Sequence, residues 1–411
     1  MQRRDLLKSI GVIGGVWALA GGLDAYVRGV RFPNLQGEPD SRPTHLDWME
    51  PDLQLDLEGA FIQNVERLGA GLRIEIRAFV PEPQISFSAE DTQSHQILVH
   101  NISHQAGLES GDITLLGYSE SAPTSRVIDL QLPAGQHNLK WRVPFTSSFR
   151  FTTIGDSGGG SELAWCLQRS EELGADFVLH AGDIYYDEND FNKISGVLQA
   201  SPLPIYAAIG NHDFHGGGVD IHLNFTQEIG PRNFYFRLDN TVFVSFDTAA
   251  STWPVDHGDR AALFEKLNSL EEPVKQWVLL THRPIHDPRY AADSKKSHTV
   301  SDFEKDWLLK QLKQLDPQPE LLAGHIHIAA EHLEDGLKTY ISGDGLGSRD
   351  LVSGGRVARI LLGEKGIDSK VNYDWQPLNM PYEYYCHGKN LGVLAKSGKS
   401  APDEAFGAQC G

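Results

Sequence analysis

Cysteine is scarce in this chain: Cys166, Cys386 and Cys410 are the only three in 411 residues, and their spacing resembles no zinc cluster. Positive charge is also in deficit. Lys and Arg number 36 against 55 Asp and Glu, a formal charge of −19. A protein that grips a nucleic-acid backbone needs a basic face, so no nucleic-acid partner is expected. Small anionic substrates stay open, because bound metal inverts the local field. No internal repeat is present. Apolar and charged fractions are ordinary, and the length suggests about two or three domains with a sizeable core.

The amino terminus carries Arg3-Arg4 and Leu6-Leu7-Lys8, then a Gly/Ala/Val/Ile/Leu-rich segment from Ile10 to Leu23 with Ala18-Leu19-Ala20 as a cleavage site. Residues 1–25 thus read as an export signal resembling the twin-arginine type, an address read by the twin-arginine translocation machinery. The expected location is periplasmic or secreted. The plain alternative is a short core helix with a basic start, for which the glycines are poorly suited. Membrane contact is expected only if the segment stays uncleaved. Cys386 and Cys410 either pair after export or stay free, and Cys166 reads as a buried apolar residue in a helix.

Prolines 33, 39, 43 and 51 among polar residues mark 26–51 as a linker. Alternation at Leu72, Ile74, Ile76, Ala78 and Val80, and at Leu139, Trp141 and Val143, predicts a small antiparallel β-sandwich over 52–146. That region clusters no Cys, His or carboxylate, so no chemistry is assigned to it. Over 147–375 the pattern becomes α/β. Ser161 is read as the cap of a helix that reaches Leu173 and stops at Gly174. Buried-strand runs follow at Phe177–Leu179, Ile205–Ile209, Val242–Phe246, Trp277–Leu280 and Leu321–Ala323. Ser301 and Glu304 form a capping-box pattern ahead of the apolar face Phe303, Trp307, Leu308 and Leu312. Residues 376–411 read as an irregular tail.

Chemistry gathers where those strand runs end. Asp156 follows Thr152–Ile154, and Asp183 with Tyr186 follows Phe177–Leu179. Asn211, His212 and Asp213 follow Ile205–Ile209, His282 follows the fourth run, and His325 and His327 follow the fifth. In open α/β sheets, ligands collect outside the carboxyl ends of the strands. Each piece alone has a bland reading: Asp156 as a helix cap, Asn211-His212 as a tight turn, the His pair as chance. All five in chain order are hard to assign to packing. Their carboxylate, phenol, amide and imidazole donors suit hard or borderline metal ions.

The blocks Gly155-Asp-Ser-Gly158, Gly182-Asp-Ile-Tyr-Tyr186, Gly210-Asn-His-Asp213, His282-Arg-Pro284 and Gly324-His-Ile-His327 resemble the five-block signature of the calcineurin-like metallophosphoesterases. Ser157-Gly158 after Asp156, and Tyr186 three residues after Asp183, point to the purple acid phosphatases, including the tartrate-resistant type. The match runs from about Phe151 to Gly347. It implies a β-sandwich flanked by helices (αββα), here preceded by the small all-β sandwich.

The resemblance also implies a dinuclear centre that hydrolyses phosphate monoesters, with a metal-bound hydroxide as nucleophile. Asp156, Tyr186 and His327 would hold Fe(III). Asn211, His282 and His325 would hold a divalent Zn, Mn or Fe(II), and Asp183 would bridge the two ions. His212 would stabilise or protonate the leaving oxygen, with Asp213 orienting it. One departure from the family is at Ala291 and Ala292, where a further substrate-side histidine is usual; His286 and His298 are the nearby substitutes, or else ordinary loop histidines. His180, buried just before Gly182, would support a ligand. The alternatives on the same scaffold are a phosphodiesterase or nucleotide pyrophosphatase, and a non-catalytic metal- or phosphate-binding surface protein.

Overall fold

The computed structural model describes residues 46–50, 52–186, 188–215, 221–249, 255–289, 298–346 and 358–380. The expected export signal, most of the expected linker, Ala291, Ala292, Cys386 and Cys410 lie outside them. Strands β1 (Asp47–Glu50), β2 (Leu53–Glu58), β3 (Ala60–Leu68), β4 (Gly71–Ala78), β5 (Gln84–Ala89), β6 (Gln93–His100), β7 (Gly107–Glu109), β8 (Thr114–Ala122), β9 (Ser125–Leu132) and β10 (Gly135–Arg142) form the first unit. They build two five-stranded sheets, ordered β1-β2-β5-β10-β7 and β3-β4-β6-β9-β8.

Alternation dictates this unit. In β2 the apolar residues Leu53, Leu55 and Leu57 are buried while the intervening polar residues are exposed. The expected inward residues Leu72, Ile74, Ile76, Leu139 and Trp141 all lie in the core between the sheets. Each such side chain contributes about 1.5–3 kcal/mol on full burial. Two details differ from the sequence reading. The sandwich is not wholly antiparallel: β4 and β6 pair in parallel, because the chain crosses to the other sheet as β5 before returning. The linker also ends before residue 51, since β1 pairs with β2 and Trp48 packs against the core.

The second unit stacks two further sheets. The first has the order β13-β12-β11-β20-β21, built from β11 (Phe149–Ile154), β12 (Phe177–His180), β13 (Ile205–Ala207), β20 (Arg359–Lys365) and β21 (Asn372–Pro377). The second has the order β14-β15-β16-β17-β19-β18, built from β14 (Phe234–Leu238), β15 (Thr241–Ser245), β16 (Gln276–Leu280), β17 (Glu320–Ala323), β18 (Ala329–Glu334) and β19 (Leu337–Ser342). Within them β11, β12 and β13 run parallel, as do β15, β16, β17 and β19. Their apolar runs are buried on both faces, as parallel strands require.

Between the sheets lies an aromatic core of Phe149, Phe151, Phe177, Phe236 and Phe243. Helices α1 (Ser161–Glu172) and α2 (Glu188–Ala200) cover the outside of the first sheet. Two short helices, α3 (His212–His215) and α4 (Ile221–Glu228), follow β13. Helices α5 (Gly258–Asn268) and α6 (Asp302–Leu312) cover the second sheet. The architecture is αββα, as expected. No described helix is long and apolar enough to cross a membrane.

The helix signals were partly misplaced. Gly160 caps α1, and Ser161 is its first residue. Ser301 does cap α6, but its hydroxyl meets the Glu304 carboxylate and makes no side-chain cap bond to the backbone. Glu304 is instead buried in an ion pair with Arg260. Phe303 is 38% exposed, outside the buried face that Leu308 and Leu312 occupy. The irregular tail begins later than 376: β21 reaches Pro377, and Leu378 and Met380 are buried against α1. There Trp165 donates its indole N–H to the Leu378 carbonyl (2.9 Å).

Candidate metal centre

Parallel strands bring the predicted donors to one edge of the stacked sheets. Immediately after β11, β12 and β17, the backbone turns sharply. Asp156 (φ 60°), Asp183 (φ 53°), His325 (φ 68°) and His327 (φ 52°) all occupy the left-handed region, which is rare for residues other than glycine. Such strain persists only where the surroundings over-determine it, and it collects at functional sites. Gly210 shows how close the loops approach: a Cβ there would lie 2.0 Å from the Asp183 amide nitrogen and 2.1 Å from Asp183 Oδ1.

His282 Nδ1 donates to the Ala181 carbonyl (2.8 Å), which fixes the tautomer and leaves the Nε2 lone pair facing inward. Around Nε2 stand Asn211 Oδ1 at 3.0 Å, His325 Nδ1 at 3.2 Å and Asp183 Oδ1 at 3.4 Å. Donor atoms of Asp183, His282 and His325 all lie within 4.8 Å of one another. Beside them, His327 Nε2 is 3.2 Å from Asp156 Oδ1, and Asp156 Oδ2 accepts the His325 amide N–H at 2.7 Å. Tyr186 stacks its ring 4.6 Å from that of His212, tilted 55°.

The electrostatics ask for a cation. Burial first, and then the neighbouring carboxylates of Asp156 and Asp213, push the Asp183 carboxyl well above its usual range. Asp183 Oδ2 is buried with no hydrogen-bond partner among the described residues. Burial holds His282 and His325 well below the usual imidazole range, with Arg283 adding to the effect. Both rings are therefore neutral, the state in which imidazole ligates. A positive ion placed between these groups would satisfy the orphaned oxygen and offset the carboxylate repulsion, so the donor set fits a metal centre.

The expected substrate-side residues separate. His212 is exposed at the rim, and its amide donates to Asp183 Oδ1 (2.8 Å). Asp213 is fully buried and does not orient the His212 ring through its carboxylate. Its Oδ2 accepts the amides of Gly210 (2.6 Å) and Asp183 (3.0 Å), and its Oδ1 accepts that of Tyr185 (3.2 Å). The Asp213 carboxylate thus ties the loops of Gly210 and Asp183 together. Burial pushes its carboxyl up to about 7.

Of the two substitute histidines, His298 places its ring 5.6 Å from that of His325, whereas His286 faces Asp335. His180 Nε2 meets the Ser157 hydroxyl at 2.8 Å and steadies the residue after Asp156. Ser157, Tyr185 and Arg283 sit inside the five blocks without a role assigned from the sequence, and a backbone carbonyl such as that of Ala181 leaves no side-chain signal.

Residues 149–329 match the model of the calcineurin-like phosphoesterase family. No curated sequence matches the chain. Among solved structures, a purple acid phosphatase from yellow lupin seeds is similar at 12% identity and TM-score 0.45, covering 72% of this chain and 70% of that one. A dimetal phosphatase from Danio rerio is similar at 11% identity and TM-score 0.41, covering 56% and 96%. The GAP50 anchor of the Plasmodium inner membrane complex is similar at 13% identity and TM-score 0.41, covering 57% and 85%.

Proposed function

We propose that this protein is a metal-dependent phosphomonoesterase of the purple acid phosphatase type. The observation that carries the reading is the convergence of Asp183, Asn211, His282 and His325 beside the Asp156–His327 pair. Asp183 would be held in common by the two half-sites, and Tyr186 would supply the phenolate that favours Fe(III) over a divalent ion beside Asp156 and His327. When bound, two metal ions supply a Lewis-acid clamp on the phosphoryl oxygens and lower the pKa of an attacking water.

This chain's own residues do the rest. His282 is locked in its ligating tautomer by the Ala181 carbonyl. Asp213 keeps the Asp183 and Gly210 loops in register. His212, exposed at the rim with its ring against Tyr186, gives a proton to the departing alcohol oxygen. His298 is the residue placed to supply the second substrate-side imidazole, because its ring approaches that of His325.

The test is hydrolysis by metal-loaded protein of p-nitrophenyl phosphate against its bis-ester. Faster turnover of the monoester is expected, and a preference for the diester overturns the assignment. For location, we propose twin-arginine export of the folded protein. Arg3→Lys with Arg4→Lys should leave it in the cytoplasm, and unchanged export contradicts that proposal.

A further inference from the structure

Away from the centre, a second group of donors converges on the turn between β18 and β19. His332 and Glu334 are two apart on β18, so their side chains share one face of the strand. The chain then turns through Asp335 (φ 53°) and Gly336 (φ 80°), which returns the Asp335 carboxylate to the same place. From the opposite side comes His286, on the loop after β16, with its side chain only 1% exposed. His286 Nε2 is 3.1 Å from Asp335 Oδ2 and 3.9 Å from Glu334 Oε1, and His332 Nε2 is 2.8 Å from Glu334 Oε2. The two imidazole rings are 6.1 Å apart.

We propose that His286, Glu334 and Asp335 form a separate site for one divalent transition-metal ion of the Zn(II) or Ni(II) class, with His332 beside them on the second Glu334 oxygen. Ligands at about 2.0–2.2 Å from a tetrahedral ion stand ~3.4 Å from one another, and donor atoms of His286, Glu334 and Asp335 all lie within 4.8 Å of one another. A buried imidazole among the donors suits a borderline ion over Ca(II) or Mg(II), which take oxygen donors. The buried His286 ring reaches out of the core to this group alone, and its Nδ1 has no hydrogen-bond partner among the described residues. Burial and the Lys305 ammonium on α6 disfavour its imidazolium form, so the ring itself supplies little countercharge to the two carboxylates. Lys305 also faces Glu334 and offsets only part of that charge.

Such an ion would pin the 281–289 loop, which carries the ligand His282, to the β18–β19 hairpin. It is independent of the proposed dinuclear centre, since none of its three donors belongs to that set. The test loads full-length protein with Zn(II), dialyses it, and counts bound zinc per chain by elemental analysis. The variant pair is His332→Gln with Asp335→Asn; asparagine tolerates the left-handed backbone at 335. A second variant, His332→Gln alone, guards against misfolding, and circular dichroism checks both. The expected result is one zinc fewer per chain in the double variant, with p-nitrophenyl phosphate turnover retained, and a zinc-dependent rise in Tm present in the wild type but lost in the variant. Equal zinc counts in wild type and both variants overturn the proposal. The count decides even if neither protein hydrolyses phosphoesters, so this site and the proposed activity fail separately.

Discussion

Tyr186 and Asp213 close two of the short blocks and differ in the role proposed for them. For Tyr186, the proposal is that its phenol distinguishes an Fe(III) site from a site holding only divalent ions. Metallated protein should show a visible tyrosinate–iron charge-transfer band, and Tyr186→Phe should abolish it; a band that survives the substitution contradicts the ligand assignment. Asp213 instead takes three backbone N–H groups. Asp213→Ala leaves buried donors unmet and should cost about 1–3 kcal/mol for each one not rescued by water. Chemical denaturation of metal-free protein measures that cost. His180 carries a pH signature, because burial lowers its imidazole to about 3. Its folded value lies below the unfolded one, so the folded state loses stability as pH falls below about 6.5, roughly 1.4 kcal/mol per pH unit. Metal-free His180→Gln should show a shallower loss between pH 6.5 and 5, read from denaturation midpoints. The polar residues that the structure brings together were legible in the sequence, because the strand ends are marked by Gly-Asp, Gly-Asn and Gly-His. Roles were less legible. Asp213 and His212 are neighbours in sequence but point to opposite fates, since a helical turn buries one and exposes the other.

At the level of elements, the site depends on parallel strands ending together and on glycines that let their loops touch. Gly210→Ala would push a methyl into Asp183. We expect at least a tenfold loss of turnover with a modest change in Tm, measured by initial rates and thermal unfolding; full activity would mean that the loop spacing is not critical. Alternation and buried runs made the strands readable, because little besides a strand produces a period of two or a short apolar run between turns. Helix starts were read less well. Ser161 and Ser301 both carry the residue type that caps, but Gly160 took one cap, and the buried Arg260–Glu304 pair drew Glu304 away from the other. The parallel β4–β6 pair was invisible, since pairing across a crossover depends on which sheet the intervening strand joins. The ends of the linker and the tail were misjudged because short edge strands such as β1, and isolated buried residues such as Leu378, carry no periodic pattern.

Across the whole molecule, the all-β unit is bonded onto the α/β one. Asn101, itself in the left-handed region, donates to the carbonyls of Ala78 and Ile205 and accepts the Ile205 amide, all at 2.8 Å. Arg77 is buried at the same junction and reaches the Ile229 carbonyl at 3.3 Å. The first contact joins the sandwich to β13, which leads to Asn211 and His212, and the second joins it to the end of α4. The two units should therefore unfold in one transition, and Asn101→Ala should lower its midpoint by the equivalent of about 1–3 kcal/mol or split it in two. Differential scanning calorimetry separates these outcomes from an unchanged single peak, which would mean that the sandwich is a passenger. The central claim, a phosphoester-cleaving centre bridged by Asp183, is tested most directly by p-nitrophenyl phosphate turnover measured with bound metal on wild type and Asp183→Asn. The account predicts active, metal-bearing wild type, and a variant that folds, holds fewer ions and turns over on the order of 10³-fold more slowly. A variant that keeps both its ions and its rate would contradict it.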